Sequence, residues 1–236
     1  MRVVKSADSL GNSQSMDEDH LAAVIREFGR SMREVTGGLD DAMNRWESAH
    51  RSSLRPIRVI LGSLSKINYL RNIEDLGKLT SFEGIIDRAI TKNMGLLDKV
   101  LPKLLALASD FESSIRKMRL MEKRVSELQR RGGNLLSSEG SNEPRIHQLV
   151  ENVDALSRKL CEIVCMYEDE YLFRLKTIRN IEELIDPKEL YTGLLLWTME
   201  PYLEADRIEV IRKEIGTHIE ETRSLVSRQN ISPNMF

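Results

Sequence analysis

Aromatic residues are scarce in this chain: Phe, Tyr and Trp make up 5% of its 236 residues, too little material for a wide globular core. Cysteine is scarcer still. Only Cys161 and Cys165 are present, four residues apart on what reads as a helix, and nothing points to an oxidising compartment. The longest apolar run, around residues 193–197, is far too short to cross a bilayer. The polar stretch 1–15 lacks the apolar centre of a secretory signal, so an intracellular protein is expected. The four histidines, His20, His50, His147 and His218, are scattered over different segments. No phosphate-binding glycine loop, nucleophile elbow or His-Glu metal pattern accompanies them. The sequence therefore offers no enzyme, cofactor or metal site. Cys161 and Cys165 have no third or fourth ligand nearby and read as two small, partly buried side chains rather than half of a metal site. The acidic turn Glu168, Asp169 and Glu170 reads as a solvated helix face rather than an acid–base pair.

What the chain does have is helical periodicity. Hydrophobic residues at 41% beside charged residues at 31% is the balance of amphipathic helices. Leu21, Ile25, Phe28, Met32, Val35, Leu39, Ala42, Trp46 and Ala49 follow one another at spacings of four and three, a heptad seam. Ser15 to Glu18 has the form of a capping box before it, and the pair Gly37-Gly38 predicts a break or kink in its middle. Pro56 suits the start of a second segment, reaching about Leu70. Thr80 to Glu83 is another capping box, opening the longest periodic stretch: Ile90, Leu97, Leu104, Phe111, Met118 and Val125 recur every seventh residue, with a kink expected at Pro102. A glycine- and serine-rich loop over 132–144 then reverses the chain. The next helix, from about Arg145 to Glu183, carries Ile146, Leu149, Val153, Leu156, Leu160, Ile163 and Tyr167. A phase slip after Tyr167 shifts the expected apolar line to Val164, Tyr171, Leu175, Ile178 and Ile185. Asp186-Pro187 starts a short helix through Trp197, Pro201 interrupts, and a last helix spans about Ala205 to Arg228.

The expected fold class is all-α: an elongated antiparallel helical hairpin or bundle with coiled-coil seams and short C-terminal helices. Its divisions are a flexible N-terminus at 1–15, N-terminal helices and a long coiled-coil helix at 16–131, the loop at 132–144, a C-terminal helical part at 145–228, and a tail at 229–236. Lys and Arg total 35 against 37 Asp and Glu. The two signs alternate along the chain, which implies an interspersed surface, no direct nucleic-acid partner and no membrane partner.

The C-terminal segment is chemically the most distinctive. Trp197 and Tyr202 are large amphipathic anchors flanking Pro201, and Glu204 and Asp206 stand just before the last helix, where its dipole favours negative charge. They either pin the short helix to the long one or contact a partner. The pattern Met166-Tyr167, Asp186-Pro187, Trp197, Pro201-Tyr202, Glu204 and Asp206 resembles the C-terminal half of the cyclin-dependent kinase 2-interacting protein family over about residues 166–218. Trp46, Ala49, Arg51 and the Tyr167 to Tyr171 region are also similar to a ribosome-maturation factor that partners an AAA ATPase pair. The resemblance implies a non-enzymatic adaptor subunit of a chromatin-associated AAA ATPase complex, tied to DNA replication, genome stability and maturation of the large ribosomal subunit. It further implies a related helical protein as coiled-coil partner, a cyclin-dependent kinase complex as another, and a nuclear location with the cytoplasm as a second. Partner-binding would fall to Trp197, Pro201, Tyr202, Glu204, Asp206, Tyr167 and Tyr171. Heptads alone fit equally a structural coiled-coil subunit of a cytoskeletal, kinetochore or tethering complex.

Overall fold

The computed structural model describes residues 18–72, 76–77, 82, 84–138, 143–182 and 187–227, and every element among them is an α-helix. In chain order these are α1 (Glu18–Arg71), α2 (Ile85–Ser138), α3 (Pro144–Glu182), α4 (Pro187–Trp197) and α5 (Ala205–Ser227). No described helix is long and apolar enough to cross a membrane. The all-α class is thus as the periodicity predicts. Ser15 and Thr80, which open the two capping boxes, Ile185, Asp186 and both chain ends lie outside the described residues.

α1 and α2, each 54 residues long, run antiparallel. Asp41 meets Lys117 at 3.0 Å and Glu27 meets Arg131 at 2.7 Å, pairs that share one register. The seams interdigitate between them: Phe28, Met32, Leu39, Trp46, Ile57 and Ile60 of α1, and Leu104, Phe111, Met118 and Val125 of α2, are at most 1–2% exposed. α3 returns along α2, joined by Arg119 to Glu168 and by Gln129 to Asp154 at 2.8 Å. α5 closes the groove between α3 and α1, with Asn152 donating to Thr222 Oγ1 at 3.0 Å and Arg212 reaching Asp40 at 2.9 Å.

Several expected breaks are absent, most of them for a packing reason. α1 continues through Gly37-Gly38 because a small residue is needed there: a Cβ on Gly38 would lie 2.4 Å from Met121 Sδ of α2. It continues through Pro56 because Ser53, Ile57 and Ile60 on either side are fully buried, and their burial outweighs the lost amide. α2 likewise runs past the exposed Pro102. The loop expected from residue 132 is helical to Ser138 instead, since Gly132 lets Val150 of α3 approach to 3.0 Å of where its Cβ would be, and Leu135 and Leu136 pack against the core.

Of the apolar line expected from a phase slip after Tyr167, Val164 and Ile178 are buried and Tyr171 is half-buried, but the earlier seam does not end there. Leu156, Leu160, Ile163 and Tyr167 lead on, still at spacings of three and four, to Glu170, Arg174, Thr177 and Ile181, all buried, while Leu172 and Leu175 face outward. The acidic turn is therefore split: Glu170 is 0% exposed and is no solvated face. Cys161 and Cys165 are exposed rather than partly buried. The interspersed surface needs correction too. Between residues 49 and 72 the chain has five basic residues and no acidic one.

Candidate functional site

The polar continuation of the α3 seam builds a buried ionic and aromatic cluster. Arg174 is 1% exposed, and its guanidinium lies 4.3 Å from the ring centre of Phe111, 4.7 Å from Trp46 and 5.2 Å from Trp197. Three electron-rich faces around one cation replace part of the hydration it has lost. Nε donates to Glu170 Oε1 at 2.8 Å, one turn earlier on α3. Nη2 donates to Glu200 Oε1 at 2.6 Å and to His50 Nδ1 at 3.2 Å. Nη1 has no hydrogen-bond partner and is left to the rings. Because an arginine has only donors, His50 Nδ1 must be the bare acceptor nitrogen. Burial, only partly opposed by the Glu200 charge, lowers the His50 pKa and favours that neutral ring. Burial raises the Glu170 pKa, with the Arg174 hydrogen bond opposing it.

Glu200 ties this cluster to the C-terminal corner. It follows α4 and has φ of +47°, a left-handed conformation that side chains other than glycine rarely adopt. Its carboxylate compensates by accepting from Arg174 and from Trp46 Nε1 at 3.0 Å. Trp197, the last residue of α4, donates its Nε1 to Ser53 Oγ at 3.1 Å. Glu170 Oε2 accepts the Tyr202 backbone amide at 3.3 Å. The corner between α4 and α5 is thus fastened to α1 and α3 by four polar contacts around one buried cation.

The seven residues expected to bind a partner divide three ways. Trp197 and Tyr167 belong to the core at 0% and 6% exposure, the Tyr167 ring standing edge-on to Trp46 at 5.2 Å and burial raising its hydroxyl pKa. Pro201, Tyr202, Glu204 and Asp206 are gathered on the exposed corner, with Tyr202 resting on Phe173 at 5.9 Å between ring centres. Tyr171 is half-buried toward α2, where burial and the Glu112 charge raise its pKa, and does not join that corner. Tyr202 is 47% exposed and has exposed apolar neighbours in sequence, Met199 at 68% and Leu195 at 47%.

Sequence reasoning missed Glu170, Arg174, Glu200, His50 and Ser53. The signal was available for the first two: extending the 160, 163, 167 spacing without a slip lands on residues 170 and 174. Glu200, His50 and Ser53 meet them only through folding. Among the described residues no group of acidic, His and Cys side chains is arranged to hold a metal ion. Cys161 is exposed, yet local desolvation of its thiol together with the neighbouring Cys165 pushes its pKa up to about 11, which leaves it a poor nucleophile at neutral pH. The chain matches no protein-family model, and no curated protein or solved structure is significantly similar to it.

Proposed function

We propose that this chain is a non-enzymatic helical adaptor subunit that presents the α4–α5 corner to a partner protein. The observation that carries this reading is an exposed apolar surface on a rigid mount. Tyr202, Met199 and Leu195 are 47–68% exposed, yet the backbone beneath them is fastened by the buried Glu170, Arg174 and Glu200 contacts. Presenting rigid aromatic and apolar groups lowers the entropic cost of association. The resemblance to the cyclin-dependent kinase 2-interacting protein family is densest at this corner. On that ground the partner we propose is a related helical protein, the pair serving a nuclear, chromatin-associated AAA ATPase assembly in DNA replication, genome stability and large-subunit maturation.

The division of labour is that Tyr202 and Asp206 contact the partner while Trp197 serves the fold. Changing Tyr202→Ala together with Asp206→Lys in the tagged protein is expected to abolish recovery of AAA ATPase subunits in co-purification, with the helical circular-dichroism melt within a few degrees of the parent. Full recovery of those subunits by the double variant, or recovery of cytoskeletal or vesicle proteins in their place by the parent, would refute the reading.

A further inference from the structure

The end of the hairpin formed by α1 and α2 carries a local excess of positive charge. Residues 49–109 hold ten Lys and Arg against five Asp and Glu, leaving 25 against 32 for the rest of the chain. Arg55, Arg58, Lys66 and Arg71 on α1, and Lys92, Lys99 and Lys103 on α2, are all exposed. None of these seven forms an ion pair with a described residue, whereas α1 and α2 are cross-linked by ion pairs lower down.

Register explains the difference. Along one outer edge of the α1–α2 interface, Glu27 faces Arg131 and Asp41 faces Lys117, so each contact joins opposite charges. Both pairs have residue numbers with the same sum, as antiparallel helices in a constant register require. The same register continues to the tip, where Tyr69 and Ala89 line one groove. It sets Arg55 opposite Lys103 and Lys66 opposite Lys92. Like charges thus face each other across the edge that opposite charges close elsewhere, an arrangement that disfavours the isolated chain. Asp87 and Asp98, the acidic residues of α2 in this region, fall by heptad position on the other side, toward the α3 edge of the helix.

At this end of the α1–α2 interface lies a groove of about 490 Å³, lined by Ser65, Lys66, Tyr69, Leu70, Ala89 and Asn93. Tyr69 is 51% exposed and Leu96, one heptad beyond Ala89, is 38% exposed. An apolar floor edged by Lys66, on two helices whose exposed faces carry further cations, suits a ligand with an apolar face and acidic flanks. We propose that this groove docks an acidic amphipathic helix of a partner protein, which neutralises Lys66, Lys92 and Lys103 while burying Tyr69 and Leu96. A nucleic-acid duplex would use the cations and leave the apolar floor unfilled. A lipid surface is flat, and the floor is recessed between two helices. A second copy of this chain would bring the same cations face to face. The docking surface is separate from the α4–α5 corner and does not rest on its role.

The test uses the full chain and four probes: a fluorescent leucine- and glutamate-patterned helical peptide, its lysine-for-glutamate twin, an RNA duplex, and vesicles of phosphatidylcholine with phosphatidylserine. The chain should bind the acidic peptide at or below about 100 µM and more weakly as salt is raised. Lys66→Glu with Lys92→Glu should weaken that binding at least tenfold and confer binding of the lysine twin, with a helical melt no lower than the parent's. Tyr202→Ala with Asp206→Lys should leave it unchanged. Absence of acidic-peptide binding, tighter binding of duplex or vesicles, indifference to the charge reversal, or self-association that the reversal abolishes would each overturn the proposal.

Discussion

Arg174 shows how one side chain can organise a region without chemistry. A buried cation is tolerated only if its charge and donors are answered, and here Glu170 and Glu200 supply the charge while Phe111, Trp46 and Trp197 supply the faces. The cost of removing Arg174 is therefore greater than the net worth of its contacts. Arg174→Ala would strand Glu170, which is 0% exposed, and free Glu200 from the contact that compensates its left-handed backbone. We expect a loss of about 3–5 kcal/mol, equivalent to a melting point lower by about 6 °C or more. Replacing both members of the buried pair, Glu170→Leu with Arg174→Met, should recover at least half of that loss, because apolar groups of similar volume need no partner. Circular-dichroism melts of the two variants decide it; equal melts would mean that the ion pair is solvated.

Helix continuity is set by what lies across the interface rather than by local propensity. Gly37 and Gly38 are adjacent and equally poor helix formers, yet their surroundings differ: a Cβ on Gly37 meets nothing within 4 Å, and one on Gly38 meets Met121, itself 3% exposed. Gly37→Ala is therefore expected to stabilise the protein by about 0.5–1 kcal/mol through helix propensity alone. That corresponds to a melting temperature higher by roughly 1–4 °C. Gly38→Ala should show no such gain, since Met121 must shift within a packed interface. An equal rise for both substitutions would indicate that α1 and α2 are not in close contact at this level. The unbroken seam of α3 makes the same point: its heptad survives the change from Tyr167 to Glu170 because the pocket it enters provides ionic partners.

Across the whole molecule, protection should follow the number of helices that cover each stretch. Around Trp46 and Phe111, α1 and α2 are joined by Tyr167 and Arg174 of α3 and by Trp197 of α4. Toward the tip, Ile86, Ile90, Met94 and Leu101 are only partly buried, and Tyr69, Ile85 and Leu96 are exposed. Amide hydrogen exchange measured by mass spectrometry should be at least about tenfold faster in residues 85–96 than in 111–125, the local opening free energy being smaller where fewer apolar contacts must break. Uniform protection would mean that the tip is already covered in the isolated protein, as in a self-associated form.

Periodicity made most of the fold legible. Spacings of three and four mark the faces of α1, α2, α3 and α5, and Pro187 and Ala205 mark element starts, because an amphipathic helix must carry its buried stripe in its own residues. The exposed basic run of α1 was equally readable, and an overall charge near balance concealed it. Helix continuity through Pro56, Gly38 and Gly132 was decided only in the tertiary structure, since local cost is overruled by burial against residues far along the chain. So was the ionic centre, in which Trp46, His50, Ser53, Arg174, Trp197 and Glu200 meet across sequence separations of up to 154 residues. A carboxylate or a guanidinium looks the same in sequence whether it faces water or a counter-charge, and only the packed helices decide which.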